Sequence, residues 1–335
     1  MTEYRLTEKE NYLRMLHGEF PDFLPRYDMM GWTGMTSLDL GTLLPNGGRI
    51  SPFGVEFVSV PDAEGAALPV PGKYILKDIT KWRDVIKAPD LSGVDWEAFA
   101  AKEQQGRDRT KNPYLMFAGD FFLALMSFMG FTEGLCAMFE EPEEVYALFD
   151  YLCDYYIEKF KNYLVYFKPD GMCLGDDTAT SLNPFISPDM HKRLLKPFQK
   201  RLADLALDAG LPVTMHNCGR SEDFIEDWLD IGVSGWDPAQ VSNDLLGIKK
   251  KYGRRLCLAG CWDSTGPVSW LSTPDQVLKD ALVDYVDTFA PGGGFLFTAG
   301  IMGPTGDETA KRKKEIVRVF YEDYARDWYK RNGYR

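Results

Sequence analysis

An α/β fold of the (β/α)8 TIM-barrel type, with an irregular N-terminal extension, is predicted by three observations. Short apolar runs alternate with amphipathic helical segments from Pro113 onward. About seven such runs are legible, and an eighth is expected in the N-terminal part. No Gly-rich phosphate turn follows the first of them. Strands covered on both faces read as near-continuous apolar runs, and their alternation with helices means a parallel sheet with helices on each side. Length and strand count suit a barrel better than a doubly wound sheet, which usually carries that glycine-rich turn.

The elements follow in order. Thr7–Leu16 is expected as a short helix and Asp22–Met30, through PRYDMMG, as a candidate first strand, with Trp32 just after it. Gly41–Ala88 has no regular pattern: Gly47-Gly48 marks a turn, SPFGVEFVSV alternates like a hairpin strand, and Pro61–Gly72 is a loop of small residues. YLMFAGD is a buried strand ending at Gly119-Asp120, followed by the TEGLCAMF helix. Pro142 then starts a long helix: acidic residues fill its first turn, and Val145, Leu148, Leu152, Tyr156, Phe160 and Leu164 recur at helical spacing. GMCLGDD is the next strand. Ser187-Pro188-Asp189 opens a helix running to Gly210. Strands are then expected at LPVTMHNCG, VSGWD, RLCLAGC and GGGFLFTAG. Helices are expected at Ser221–Ile231, at Leu245–Tyr252, after Thr273-Pro274-Asp275, and at Lys311–Arg331. No segment repeats and no linker composition intervenes, so residues 1–335 are read as a single barrel domain.

A net charge of −12 and a pI near 4.9 argue against nucleic acid as a partner, because that requires a basic surface. They also disfavour an anionic membrane and substrates with many carboxylates. The N-terminus is charged, with no apolar leader, and no apolar run reaches membrane-spanning length, so a cytoplasmic protein is expected. Six cysteines are too sparse for a disulfide framework. Of the three histidines, His17 and His191 are expected at the surface.

The third, His216, lies in the stretch LPVTMHNCG. On an extended chain, side chains two apart point the same way, so His216 and Cys218 project together with Asn217 turned aside. An imidazole and a thiolate on one face make half of a zinc site. Barrel active sites lie at the C-terminal ends of the strands. Here those ends are Asp120, Asp176-Asp177, His216 with Cys218, Asp237, Cys261 with Asp263, and Gly300-Ile301. Alternation along RLCLAGC puts Cys257, Ala259 and Cys261 on one face, with Cys261 at the catalytic end.

The stretches SPFGVEF, AGDFFLALMSFMGFTEGLCAMFEEPEEV, LGDDTATSLNPFISPDMHKRLLKPF, PVTMHNCG followed by IGVSGWDPA, and LAGCWDS resemble the uroporphyrinogen decarboxylase superfamily. Within it they are more similar to the corrinoid-dependent methyltransferases than to the decarboxylase. The resemblance implies the superfamily's (β/α)8 barrel. It also implies that His216 and Cys218 ligate zinc, with a further cysteine from near the last strand. FTAGIMGP has no cysteine there, so Cys261 is expected as the third ligand, with a carboxylate such as Asp177 as its rival. The decarboxylase binds a polycarboxylate through a basic N-terminal signature, whereas FLPRYDMMGWTGMTSLD carries one arginine. Burying many carboxylates without cationic partners is costly, so decarboxylation is disfavoured.

The activity implied is methyl transfer between a small methoxylated substrate, such as an aryl methyl ether, and a corrinoid carried by a partner protein. Asp176, Asp177, Asp237 and Asp263 are the candidate catalytic carboxyls that stabilise the departing oxygen. Trp32, Asp120, Phe121, Phe122, Trp236 and Trp262 are candidates for lining the substrate pocket. A methylcobamide:thiol methyltransferase, a decarboxylase-like enzyme and a ligand-binding barrel without activity stand as alternatives.

Overall fold

The computed structural model describes residues 4–60, 66–304 and 306–334. Eleven strands form two sheets among these residues. The larger is parallel and runs in chain order: β1 (Thr33–Gly34), β6 (Leu115–Phe117), β7 (Gly171–Gly175), β8 (Val213–His216), β9 (Val233–Ala239), β10 (Cys257–Gly260) and β11 (Phe295–Phe297). Each of the apolar runs from YLMFAGD to GGGFLFTAG forms one of its strands. The expected strand at PRYDMMG is reduced to one parallel bridge, Arg26 to Phe297, with Tyr27 N–H donating to the Phe297 carbonyl and Phe297 N–H to that of Pro25. Asp28 then accepts a hydrogen bond from Gly31 N–H and caps a helical turn, Met29–Trp32, which ends the extended stretch. The hydrogen-bonded parallel sheet therefore has seven strands, with residues 25–27 lying along its β11 edge.

The second sheet lies in the irregular N-terminal part. It is antiparallel, with β2 (Thr42–Leu43), β3 (Arg49–Ile50), β4 (Glu56–Val60) and β5 (Ala66–Pro69) in that order. It contains the hairpin strand expected at SPFGVEFVSV as β4, with the expected Gly47-Gly48 turn between β2 and β3. β5 falls within the expected loop Pro61–Gly72, of which residues 61–65 lie outside the described residues.

The helices follow their sequence signals. Thr7 and Glu10 close a reciprocal capping box at the start of Glu8–Leu16. Pro142, Glu143 and Glu144 open the helix Pro142–Asn162, whose residues Val145, Leu148, Leu152, Tyr156 and Phe160 are buried. The helix expected from Ser187 to Gly210 is broken at Leu195 into Pro188–Leu194 and Lys196–Asp208, because Pro197 cannot continue the preceding ladder. His191 is not at the surface: it is fully buried, stacked on Phe224 and bonded through Nδ1 to Asp227. No single helix among the described residues is long and apolar enough to cross a membrane.

Alternation along the parallel strands sorts the interior into two clusters. The outward residues pack under the helices. The inward ones, Leu115, Cys173, Cys257, Ala259 and Leu296, meet Tyr12, Met15 and Leu16 of the N-terminal helix and Trp32. Cys257 Sγ donates to the Met15 carbonyl at 3.2 Å, which fixes that helix beneath the N-terminal ends of the strands. The opposite, C-terminal ends are left for polar groups.

Candidate metal centre

β8 ends at His216. Its neighbours in register are Gly175 of β7 and Asp237 of β9, so the chain emerging from β7 and the carboxylate of β9 flank the imidazole at one level. His216 Nδ1 lies 2.7 Å from Asp237 Oδ2. That bond turns Nε2 the other way, 3.9 Å from Cys218 Sγ and 3.9 Å from Asp177 Oδ1. Asp177, His216 and Cys218 thus place one ligand atom each within 4.8 Å of one another. All three residues are partly exposed, so the centre is open to solvent.

This donor set fits zinc. Zinc bonds are about 2.0 Å to nitrogen or oxygen and about 2.3 Å to sulfur, so one ion spans a nitrogen and a sulfur up to about 4.3 Å apart. The observed 3.9 Å lies inside that reach. The Asp237–His216 pair supplies the outer carboxylate that metal-bound histidines commonly have, fixing tautomer and ring orientation. Burial opposes protonation of His216, but its bonds to Asp237 and Cys218 outweigh that and hold the imidazolium well above the usual histidine range. Burial raises the Cys218 thiol, and His216 opposes the rise.

The loop that carries these groups is tightly built. Cys218 N–H donates to Asp177 Oδ1 at 2.8 Å. Asn217 points away from the ligands and is fully buried: its Oδ1 accepts from Ser221 Oγ at 2.9 Å and its Nδ2 donates to Thr178 Oγ1 at 2.9 Å. Gly219 follows at φ +88°, where a Cβ would lie 2.5 Å from the Ala179 carbonyl oxygen. Asp176 is buried beside the cluster and accepts backbone N–H bonds from Phe121 and Leu123, capping the helix Phe122–Met129. Burial raises the carboxyl groups of both Asp176 and Asp120, and each is raised further by a neighbouring carboxylate.

The structure brings Asp120, Asp176, Asp177, His216, Cys218 and Asp237 together, but it does not add Cys261. A register shift at Leu258/Gly260, with φ +130° at Gly260 and +61° at Cys261, breaks the two-residue alternation. Cys257 and Ala259 face inward as expected, while Cys261 packs in the other cluster, in the electrostatic reach of Lys249 and Tyr285. Asp263 closes its own turn by accepting from Gly266 N–H at 2.8 Å.

The aromatic candidates are all buried in side-chain packing. Trp32 is in the inward cluster against Tyr12. Phe121 packs on Phe149, Tyr156 and Phe198, and Phe122 on Phe131 and Phe185. Trp236, one residue from inward-facing Asp237, necessarily faces outward, against Trp228, and donates to the Asn217 carbonyl. Trp262 is buried against Tyr285 and donates to Ser269 Oγ and the Gly300 carbonyl. Sequence reasoning missed Asn217 as a loop organiser, although it carried a signal, a short amide between two candidate ligands.

Comparison with known proteins agrees with this architecture. The sequence profile of the family described as uroporphyrinogen decarboxylase (URO-D) matches residues 54–306. A solved structure described as a methyltransferase from Methanosarcina mazei superposes with a TM-score of 0.62 at 15% identity, over 95% of this chain and 100% of that one. At that identity the likeness is one of fold. No curated protein sequence matches the chain.

Proposed function

The chain belongs to the uroporphyrinogen decarboxylase family, and from that premise we propose that it is a methyltransferase. It moves a methyl group between a small methoxylated aromatic substrate and a corrinoid carried by a partner protein, with zinc held by Asp177, His216 and Cys218. The observation that carries this reading is the convergence of those three ligand atoms at the open ends of β7 and β8, with Asp237 behind the imidazole.

Zinc bound there would serve as a Lewis acid toward the ether oxygen. The chain's own groups do the rest. Asp237 fixes His216 so that Nε2 faces the ligand cluster. The Asp177 carboxylate is held by Cys218 N–H, which keeps Oδ1 beside the thiol. Asp120 is partly exposed and its carboxyl is raised, so it is suited to hold a proton for the departing oxygen, whereas Asp176 is committed to a helix cap. A carboxylate is a harder ligand than a second thiolate, and this favours an oxygen substrate over activation of a thiol.

Metal content and methyl transfer test the reading together. The purified protein should hold stoichiometric zinc and convert a reduced corrinoid to its methyl form in the presence of an aryl methyl ether, followed by the cobalt spectrum. Cys218→Ala and Asp177→Ala should lose both properties, while Cys261→Ala should keep both. Full zinc in Cys218→Ala defeats the proposal, and wild-type protein without zinc or transfer favours a ligand-binding barrel.

A further inference from the structure

Residues 25–27 stand where the parallel sheet lacks a full strand. The register runs from Arg26 to Phe297 of β11, then to Gly260 of β10 and Ala239 of β9. Bridged residues present their side chains to one face, and the next residue along presents its own to the other. Phe297 packs outward under the helices, so Arg26 turns outward and Tyr27 turns inward. The packing of Tyr27 agrees: it lies against the inward cluster, with its ring centroid 6.4 Å from that of Tyr12, stacked, and 5.7 Å from that of Trp32, edge-on. Ala239 ends β9 two residues after Asp237, so Tyr27 enters the interior at the end of the strands that carries the metal centre.

Tyr12 and Trp32 hold the ring, but nothing of that kind holds the hydroxyl. Tyr27 Oη is buried and makes no hydrogen bond among the described residues. Burial, and after it the Asp237 carboxylate, raises the phenol well above its ordinary range, so Oη keeps its proton for an acceptor. Asp237 has the complementary need. Its side chain is 5% exposed, and Oδ2 is taken by His216 Nδ1 at 2.7 Å, which leaves Oδ1 as the acceptor for a second donor. A buried hydroxyl without an acceptor and a buried carboxylate with a single donor are each unfavourable, and one bond between them relieves both.

We propose that Tyr27 is a positioning residue for the metal centre: its hydroxyl closes onto Asp237 Oδ1, and Asp237 in turn fixes the His216 imidazole. The chain Tyr27–Asp237–His216 runs from the edge of the parallel sheet beyond β11 to the ligand atom Nε2. It gives the shortened strand at PRYDMMG a task, because the bridge to Phe297 sets the height at which the hydroxyl is delivered. For its purpose this rests on the reading of His216 as a metal ligand, whereas the bond to Asp237 needs no ion. Tyr27 acts through Asp237 and not on the ion itself.

Tyr27→Phe keeps the ring between Tyr12 and Trp32 and removes only the hydroxyl. Competition with a chromogenic chelator should show zinc bound about 3- to 10-fold more weakly, the worth of one hydrogen bond acting at one remove. The same substitution made in Asp237→Ala should leave the zinc Kd where Asp237→Ala alone puts it, because the acceptor is already gone. An unchanged Kd in folded Tyr27→Phe overturns the proposal. An equal loss in both backgrounds assigns the hydroxyl to packing and overturns it as well. The bond is also read without metal: the His216 Nδ1 proton resonance of the metal-free protein should shift in Tyr27→Phe, and an unmoved resonance overturns the link. A shifted resonance in a protein whose wild type binds no zinc supports the link and overturns the metal reading alone. Should Tyr27→Phe not fold, the wild-type Tyr27 hydroxyl proton should resonate as a hydrogen-bonded phenol and move upfield in Asp237→Ala; a hydroxyl proton indifferent to that change overturns the proposal.

Discussion

Removing the Asp237 carboxylate should weaken metal binding without emptying the ligand set. Asp237 touches none of the three ligand atoms; it acts through His216, at 2.7 Å from Nδ1 and with its side chain 5% exposed. Loss of an outer partner of this kind lowers metal affinity about 10- to 100-fold, or about 1.4–2.7 kcal/mol. The short distance and deep burial place Asp237→Ala toward the upper end. Asp237→Asn retains an acceptor for Nδ1–H and should fall toward the lower end. The stability change should be smaller than an orphaned donor alone implies: leaving Nδ1 unpaired costs about 1–3 kcal/mol, but the buried carboxylate no longer needs to be desolvated. Competition with a chromogenic chelator gives the zinc Kd, and urea unfolding reports stability separately. An unchanged Kd in a folded Asp237→Ala protein would refute the argument that this carboxylate orients the imidazole.

Three further outcomes are expected. Gly219→Ala should destabilise the protein by about 2 kcal/mol or more, because a left-handed residue costs about 1–2 kcal/mol and the new Cβ meets the Ala179 and Thr180 carbonyl oxygens at 2.5 and 2.6 Å; a denaturant midpoint equal to wild type would remove that clash. Trp262→Phe should lose about 1–3 kcal/mol with its bonds to Ser269 and Gly300, and leave zinc affinity and the KM for the methyl donor unchanged; a raised KM at full stability would return Trp262 to the substrate pocket. His191, and after it Lys196, hold the Asp227 carboxyl down to about 2, below its unfolded value, so this contribution is complete above about pH 5 and is lost as pH falls toward 2. It amounts to about 2 kcal/mol, and Asp227→Asn should flatten that part of the stability profile measured by urea unfolding.

What could be read in the chain, and what could not, follows from the range of the physics involved. The apolar runs and the capping signals at Thr7, Pro142 and Ser187 are local, and they located the parallel strands and most of the helices. His216 and Cys218 were legible together because period two is a property of one strand, and their side chains do meet. Cys261 was misplaced by the same rule: the register shift and the two positive φ values that turn it outward arise from pairing with β9, which RLCLAGC does not encode in its pattern. Trp236 could have been set aside from sequence, because it neighbours Asp237 and the two cannot share a face. Trp262 could not, because it lies beyond the strand where alternation no longer applies. In the antiparallel sheet β4 was legible from the alternation of SPFGVEFVSV, whereas β2 and β3 escaped because they are two residues long, too short for alternation to show, and the placement of the sheet depends on Phe53 reaching Phe128. Asp177 entered the cluster for the same kind of reason, through the register of β7 on β8. The centre is therefore a local motif completed by non-local pairing. Moving the β7–β8 register by one residue would turn Asp177 away from His216 while leaving every local signal in both strands intact.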